Sequence, residues 1–228
     1  MKELVDKIWK IFLAGSIMVS LQTKNLATSG LDGLLIKDLR KVIVLDPAHG
    51  KNNKEKGVMD LGDAVYKDYR EVDIVLEIAK ITKKMLDPTK YRVILTRYDN
   101  ENAVPVEIRP VIANVVNADA FFSIHINNLW DPTVKGFEIY YRYDENKNLA
   151  YLGKENFQEH TLIPASKRRG GVIKENYKVL KGLDCPAALF EIGYISNEED
   201  REKILNNLPS IAKAIAETAK ESFEGDSI

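Results

Sequence analysis

The sequence contains a single cysteine, Cys185, in 228 residues. One thiol cannot form an internal disulfide or a cysteine-rich metal site, and we interpret Cys185 as a small buried residue. The chain also lacks an excess of charge of either sign, because 33 basic and 34 acidic residues give a formal net charge of −1. Nucleic-acid-binding domains usually show a strong basic excess or a basic stripe, so we expect no nucleic-acid partner.

Long apolar runs are also missing. The run from Ile11 to Leu21 is shorter than the roughly 20 residues that a membrane-spanning helix needs, so we expect no transmembrane span. Lysines precede the run and small residues follow it, a pattern that resembles a weak secretory signal, although Glu3 and Asp6 lie in its basic part. Two interpretations of residues 1–40 therefore stay open: an export signal, or an amphipathic helix packed on the following domain.

The remaining sequence is typical of one globular domain, which we place over residues 41–224. Hydrophobic residues make up 45% and charged residues 29% of the chain, as in ordinary soluble proteins. Short apolar runs alternate with amphipathic segments, which predicts an α/β fold: a mostly parallel or mixed sheet of about five to six strands, flanked by helices on both faces. The predicted strands are 41–46, 91–96, 119–125, 136–143 and 186–192, and the predicted helices are 71–86, 103–116, 147–159 and 208–223.

Two of the three histidines stand at the ends of apolar runs. His49 follows the run VIVLDPA, and His125 follows FFSI. Because the carboxyl ends of parallel strands meet at one edge of a sheet, we expect both imidazoles to face the same crevice. The third histidine, His160, lies in a polar segment that is predicted to be helical, and we expect it to be exposed.

Two glutamates are further candidates for chemistry. Glu191 lies inside an apolar strand, where an unpaired carboxylate is costly to desolvate. A salt bridge to an arginine or lysine would explain its burial as well as catalysis does. Glu71 opens a segment in which Ile74 and Ile78 recur at helical spacing, and a carboxylate in a first turn is often only a partner for the helix dipole.

Two histidines and one glutamate match the ligand set of a catalytic zinc site, which keeps a fourth position open for water. A second glutamate that does not bind the metal is what such a site needs as a general base. The four residues are far apart in the sequence and form no local metal-binding motif. Their spacing alone therefore does not assign these roles.

Six blocks of sequence occur in the same order as in a known family. The blocks are VIVLDPAHG at 42–50, REVDIVLEIA at 70–79, LTR at 95–97, residues 109–114, ADAFFSIHIN at 118–127 and FEIGYISN at 190–197. Together they resemble the zinc-dependent N-acetylmuramoyl-L-alanine amidases, a resemblance that covers residues 41–224.

The resemblance implies a role for each candidate residue. It implies that His49, Glu71 and His125 bind zinc and that Glu191 is the catalytic glutamate. It also implies that the substrate is peptidoglycan, cut at the amide between N-acetylmuramic acid and L-alanine, and that the protein is exported to the cell envelope. We expect the protein to be a monomer.

Some positions depart from the family pattern and leave alternatives open. Ala48 stands where the family usually has glycine, and residues 51–56 are charged where the family is glycine-rich. The interval between His49 and Glu71 is also long, so Asp68 and Asp73 are alternative ligands.

Other polar residues have alternative interpretations too. We expect Asp46 and Asp119, near strand ends, to orient a ligand histidine or to cap a turn. A zinc carboxypeptidase or another metallopeptidase on a related fold could use the same four site residues. Such an enzyme would bind a terminal carboxylate through an arginine, for which the candidates are Arg97, Arg109 and Arg169. A wall-binding module that had lost catalysis would be expected to lack a ligand or the base, and this chain has all four.

Overall fold

The structure is a computed structural model that describes residues 38–53, 58–60, 62 and 64–224. Most of the predicted extension over residues 1–40, with its signal-like run, lies outside the described residues. The chain from Leu39 onward forms one compact unit.

Ten strands and five α-helices make up this unit, within the described residues. The strands are β1 (Lys41–Pro47), β2 (Gly50–Asn53), β3 (Val58–Asp60), β4 (Val65–Tyr66), β5 (Tyr69–Arg70), β6 (Tyr91–Leu95), β7 (Ala120–Asn127), β8 (Glu138–Tyr141), β9 (Val172–Lys174) and β10 (Ala187–Tyr194). The helices are α1 (Glu71–Met85), α2 (Ile108–Val115), α3 (Lys147–His160), α4 (Glu198–Asn206) and α5 (Leu208–Glu221). Short 3-10 helices span Asp144–Asn146 and Lys178–Leu180.

A six-stranded mixed sheet forms the centre, in the order β6-β1-β7-β10-β8-β9. The strands β6, β1, β7 and β10 run parallel, whereas β8 is antiparallel to β10 and β9 is parallel to β8. Each residue of β10 is buried, which explains why its sequence is an almost continuous apolar run. Two small antiparallel hairpins, β2-β3 and β4-β5, lie outside this sheet.

The two faces of the sheet are covered unequally. Successive side chains of a strand point to opposite faces, so Ile43 and Leu45 belong to one hydrophobic cluster and Val44 to the other. The first cluster contains apolar residues of α1, α3 and α5. The second cluster is smaller and is closed by Ala113 of α2 and by Val179 of the second 3-10 helix.

The predicted α/β fold is confirmed, and the predicted strands and helices all exist. The predicted helix over 103–116 begins only at Ile108, after Pro105, whose ring disfavours helical backbone in the residue before it. The sequence analysis missed β9, α4 and the two hairpins, which are short or strongly polar. No helix among the described residues combines the length and the apolar character needed to cross a membrane.

Candidate active site

Parallel strands bring the two predicted histidines together. β1 and β7 pair in parallel with Pro47 opposite Ile124, so His49 and His125 follow at the same edge of the sheet. Their ring centroids lie 5.3 Å apart with the planes at 82°. His49 has a φ of 63°, in the left-handed region that non-glycine residues rarely adopt, and this backbone turn directs its side chain.

Glu71 joins the histidines from the opening of α1. Its backbone N–H donates to the carbonyl of Ala64 at 2.9 Å, and its Oε1 accepts a hydrogen bond from the backbone N–H of Ile126 at 3.0 Å. The same Oε1 lies 3.2 Å from Nε2 of His49 and 3.3 Å from Nδ1 of His125. Burial alone would raise the pKa of Glu71, but the hydrogen bonds with the two histidines outweigh it and lower the pKa to about 2.

These three side chains form a group that could hold a metal ion, with one ligand atom from each within 4.8 Å of the others. Around a tetrahedral zinc with bonds of about 2.0–2.1 Å, neighbouring ligand atoms lie about 3.3 Å apart. The 3.2 and 3.3 Å distances from Glu71 Oε1 to the two histidine nitrogens fit that geometry. The two imidazoles and one carboxylate are also donors that zinc accepts.

Gly62 closes the space behind this group. Its φ is +76°, and a Cβ placed on it would lie 2.8 Å from Cδ2 of His49 and would overlap Oε2 of Glu71. Only a glycine fits here without displacing one of the two side chains.

Glu191 lies on the neighbouring strand β10, directly opposite His125 in the β7-β10 pairing. Its side chain is buried, and Oε2 has no hydrogen-bond partner among the residues that the structure describes. Burial raises the pKa of Glu191 well above its ordinary value, and the charges of Glu71 and Glu138 raise it further while His49 opposes them. No salt bridge to an arginine or lysine involves Glu191 in the described part of the chain.

Glu138 is a second buried carboxylate beside Glu191, and the sequence analysis did not single it out. It lies on β8, opposite Glu191 in the antiparallel pairing. Its Oε2 accepts a hydrogen bond from the Tyr140 hydroxyl at 2.6 Å and one from the Asn127 amide at 3.4 Å. An acidic residue at an inward position of a short strand is the only sequence signal that could have identified it.

The alternative carboxylates have other partners. Asp73 accepts hydrogen bonds from Arg70 and Asn100, and Asp68 lies exposed in the turn between β4 and β5. Asp119 accepts from the backbone N–H of Val42 at 2.7 Å, at the start of β7 and so at the opposite end of the sheet. Neither Asp68, Asp73 nor Asp119 belongs to the metal-binding group that the described residues form.

Asp46 is fully buried at the centre of a hydrogen-bond network. It accepts from the hydroxyls of Thr96 at 2.6 Å and Ser123 at 2.7 Å, and its Oδ2 lies 3.4 Å from Nη1 of Arg109. Nη2 of Arg109 in turn lies 3.4 Å from the carbonyl oxygen of His49. The network therefore connects Asp46 to the backbone of His49 rather than to its imidazole.

Arg97 holds two parts of the site together. Its Nη2 donates to the carbonyls of Ala48, at 2.6 Å, and Val72, at 2.9 Å, which adjoin His49 and Glu71 in sequence. The carboxypeptidase interpretation requires an arginine that meets the carboxylate of the substrate. The side chain of Arg97 is buried, so its charge does not reach a substrate.

Two further interpretations are settled by burial. Arg169 is exposed and lies 3.5 Å from Glu175, so its charge faces an acidic partner on the surface. Cys185 is only partly buried, unlike the expectation that it is a small buried residue. Its partial burial still raises the pKa of the thiol to about 12, which leaves almost no thiolate at neutral pH. The expectation that His160 is exposed was wrong, since only 13% of its side chain is accessible at the end of α3.

A cavity of about 250 Å³ opens beside the two histidines. His49, His125 and Arg109 line one part of it, and the other walls come from Val106, Tyr177, Lys178, Val179 and Leu189. A larger cavity of about 890 Å³ lies at the opposite end of the sheet, where Lys41, Asp119 and Cys185 contribute to its walls. Of these two cavities, the smaller one adjoins the candidate metal-binding group.

Comparisons with known proteins identify the family of this chain. The family model for N-acetylmuramoyl-L-alanine amidase matches residues 43–221. The probable cell wall amidase LytH of Staphylococcus epidermidis is 31% identical over 185 residues, which cover 80% of this chain and 58% of LytH. The Staphylococcus aureus LytH is 33% identical over 168 residues, 74% of this chain and 53% of that protein. The chain thus spans little more than half the length of these curated relatives.

Solved structures give the same result. The catalytic domain of the amidase CwlV from Bacillus (Paenibacillus) polymyxa var. colistinus superposes with a TM-score of 0.71 at 27% identity, covering 81% of this chain and 98% of that domain. The amidase AmiC2 of Nostoc punctiforme has a TM-score of 0.71 at 29% identity, covering 81% of this chain and 97% of that one. The fold, the site and the match over residues 43–221 show that this chain belongs to the N-acetylmuramoyl-L-alanine amidase family.

Proposed function

We propose that this chain hydrolyses the amide bond between N-acetylmuramic acid and L-alanine in peptidoglycan. The observation that supports this best is the convergence of His49, Glu71 and His125, with the buried Glu191 on the adjoining strand. Membership of the amidase family supports the particular amide.

We further propose that the metal is zinc, held by His49, Glu71 and His125. When bound, zinc supplies a Lewis acid that lowers the pKa of a water molecule and stabilises negative charge on a carbonyl oxygen. The hydrogen bond from the Ile126 N–H to Oε1 fixes the Glu71 carboxylate in place. Arg97 holds the carbonyls of Ala48 and Val72, next to His49 and Glu71 in sequence, and Arg109 lies beside the carbonyl of His49.

Glu191 is the proposed general base and acid. It is buried on the strand next to His125, and its Oε2 makes no hydrogen bond within the described residues, so a lone pair is available to a reacting water. Glu191 removes the proton of the water that attacks the amide carbonyl, and it then gives this proton to the leaving amine of L-alanine. The products are a glycan strand and a free stem peptide.

The proposed substrate indicates where the protein works. Peptidoglycan lies outside the cell membrane, and relatives carry the name of cell wall amidase, so we propose that the protein is exported and works in the cell envelope. Residues 41–224 are the proposed catalytic domain, and the proposed active form is a monomer.

Digestion of purified peptidoglycan tests the function. An amidase releases stem peptides with a new N-terminal L-alanine and leaves the glycan uncut, which mass analysis of the fragments detects. A carboxypeptidase would release single carboxy-terminal amino acids instead. Either that product, or intact peptidoglycan after treatment with the zinc-loaded protein, would contradict the proposal.

Two matched glutamate variants separate the base from the ligand. Glu191→Gln keeps the shape of the side chain but cannot accept a proton, so its rate should fall by about 10²- to 10⁴-fold or more with zinc content unchanged. Glu71→Gln should lose zinc together with activity, because a neutral amide is a poor zinc ligand. Zinc content per folded molecule, measured by elemental analysis, distinguishes the variants. Loss of zinc from Glu191→Gln, with retention in Glu71→Gln, would reverse the two assignments.

A further inference from the structure

The cavity beside His49 and His125 has mostly apolar walls. Half-buried Val106 and Tyr177 face the cavity, and the almost fully buried Val179 and Leu189 also line it. The ring of Tyr177 packs edge-on against Tyr140 at 5.0 Å between centroids. Leu189 lies two residues before Glu191 on β10, so both side chains point to the same face of the sheet. An occupant of this cavity would therefore lie beside the reacting amide.

The apolar walls favour the peptide arm of the substrate over the glycan. A sugar ring carries several hydroxyl groups, and each hydroxyl that loses water without gaining a hydrogen bond makes binding less favourable. The short methyl side chain of L-alanine has no such cost. The volume of about 250 Å³ is also small for a disaccharide but adequate for the start of a peptide.

Two cations line this cavity, and they differ in availability. The buried Arg109 donates to the carbonyl of Val104 at 3.0 Å and lies 3.4 Å from both Asp46 and the carbonyl of His49. Lys178, in contrast, has 77% of its side chain exposed, and its ammonium lies 3.9 Å from Glu107 in a loose surface pair. Lys178 is thus the lining cation that can turn to an incoming anion.

We propose that this cavity is the subsite for the stem peptide and that Lys178 selects substrates with a free carboxylate next to the first alanine. The inference rests on the proposed amidase function and names the substrate class of that site. The L-alanine side chain lies against Val106 and Tyr177, and the carboxylate of the following residue replaces Glu107 as the partner of Lys178. Amidation of that carboxylate, which removes its charge, weakens binding.

Two soluble muramoyl-peptides test the subsite, one with a free carboxylate on the second residue and one with that group amidated. Lys178→Met should lower kcat/KM about two- to fivefold for the free acid, through KM, and leave the amidated substrate unchanged. The control is Lys181→Met, an exposed lysine directly after the same 3-10 helix that does not line the cavity. Glu107→Gln removes the competing anion and should increase the preference for the free acid.

Several results would overturn the inference. An equal loss of kcat/KM on both substrates in Lys178→Met would show that Lys178 has a structural role. No loss of kcat/KM on either substrate would show that Lys178 does not contact the peptide. Calorimetric binding of the free stem peptide to the intact protein separates this inference from the proposed reaction. A protein that binds the acidic peptide through Lys178, more weakly at high salt, but cleaves no amide would refute the reaction and keep the subsite. A protein that cleaves the amide equally well without Lys178 would keep the proposed reaction and refute the subsite.

Discussion

Gly62 lies directly behind the side chains of His49 and Glu71. We predict that Gly62→Ala abolishes metal binding, because the added methyl group overlaps Glu71 Oε2 and lies 2.8 Å from His49 Cδ2. The variant should fold, with an additional backbone strain of about 1–2 kcal/mol from its left-handed conformation. Metal content and thermal unfolding, measured on the same preparation, check both parts.

Gly170 provides a matched control for this prediction. Its φ of +75° is almost the same as that of Gly62, at +76°, but a Cβ on Gly170 would meet nothing within 4 Å. Gly170→Ala should therefore show the same strain with full metal content. If both variants keep the metal, the close contact at Gly62 is not required for the site.

Some residues of the site can be predicted from the sequence pattern, and others cannot. His49 and His125 follow apolar runs, so the end of each strand predicts their position. Glu191 interrupts such a run, which signals its burial. Gly62 gives no such signal, because the need for glycine arises from contacts with His49 and Glu71 that exist only in the folded chain.

At the scale of elements, Arg97 connects the end of β1 to the start of α1. It donates to the carbonyls of Ala48 and Val72, and so sets the spacing of His49 and Glu71. We predict that Arg97→Met lowers metal affinity by about 10- to 100-fold, as loss of a partner that orients metal ligands commonly does. Competition with a chromophoric chelator measures this affinity, and circular dichroism reports the folded fraction.

Arg92, on the strand β6 that precedes Arg97, offers the matching comparison. It is exposed on β6, and Arg92→Met should leave metal affinity unchanged. Arg97→Lys keeps the charge but cannot reach both carbonyls in the same way, so it should restore affinity only in part. A folded Arg97→Met protein with native affinity would show that the hydrophobic core alone sets the spacing.

The elements themselves were largely predictable, but their connections were not. Apolar periodicity predicted β1, β7, β10 and α1, because it reports which side chains are buried. The hydrogen bonds of Arg97 to carbonyls 49 and 25 residues away are long-range contacts that periodicity cannot report. The strand β9 has only three residues, too short for a pattern.

At the scale of the whole molecule, Asp46 links β1 and β7 to the residue after β6 and to α2. Burial alone would raise its pKa, but the charge of Arg109 and the hydrogen bonds from Thr96 and Ser123 lower the pKa below 3.8. Because the folded-state pKa lies below the unfolded value, Asp46 stabilises the fold above pH of about 4, and this contribution is lost as the pH falls through the folded pKa. Asp46 thus contributes to resistance against acid unfolding.

We predict that Asp46→Asn lowers the free energy of unfolding by about 3 kcal/mol near neutral pH, since it leaves buried Arg109 without its counter-charge. The difference from the parent protein should shrink as the pH is lowered from about 5 to 3. Urea unfolding at a series of pH values measures it. Asp68→Asn, at an exposed turn, is the control and should follow the parent. A difference that is constant over this range would contradict the assigned pKa shift.

The strand order has a consequence for synthesis of the protein. β10 lies between β7 and β8 in the sheet, yet among the strands that the structure describes it is the last to be translated. A nascent chain that has emerged from the ribosome only as far as β9 has the three residues of the metal group but lacks Glu191, and its sheet has a gap at the centre. At a translation rate of about 5–20 residues per second, that gap is filled only after β10 has emerged. The proposed amidase activity therefore requires β10 to be in place, because Glu191 lies on this strand.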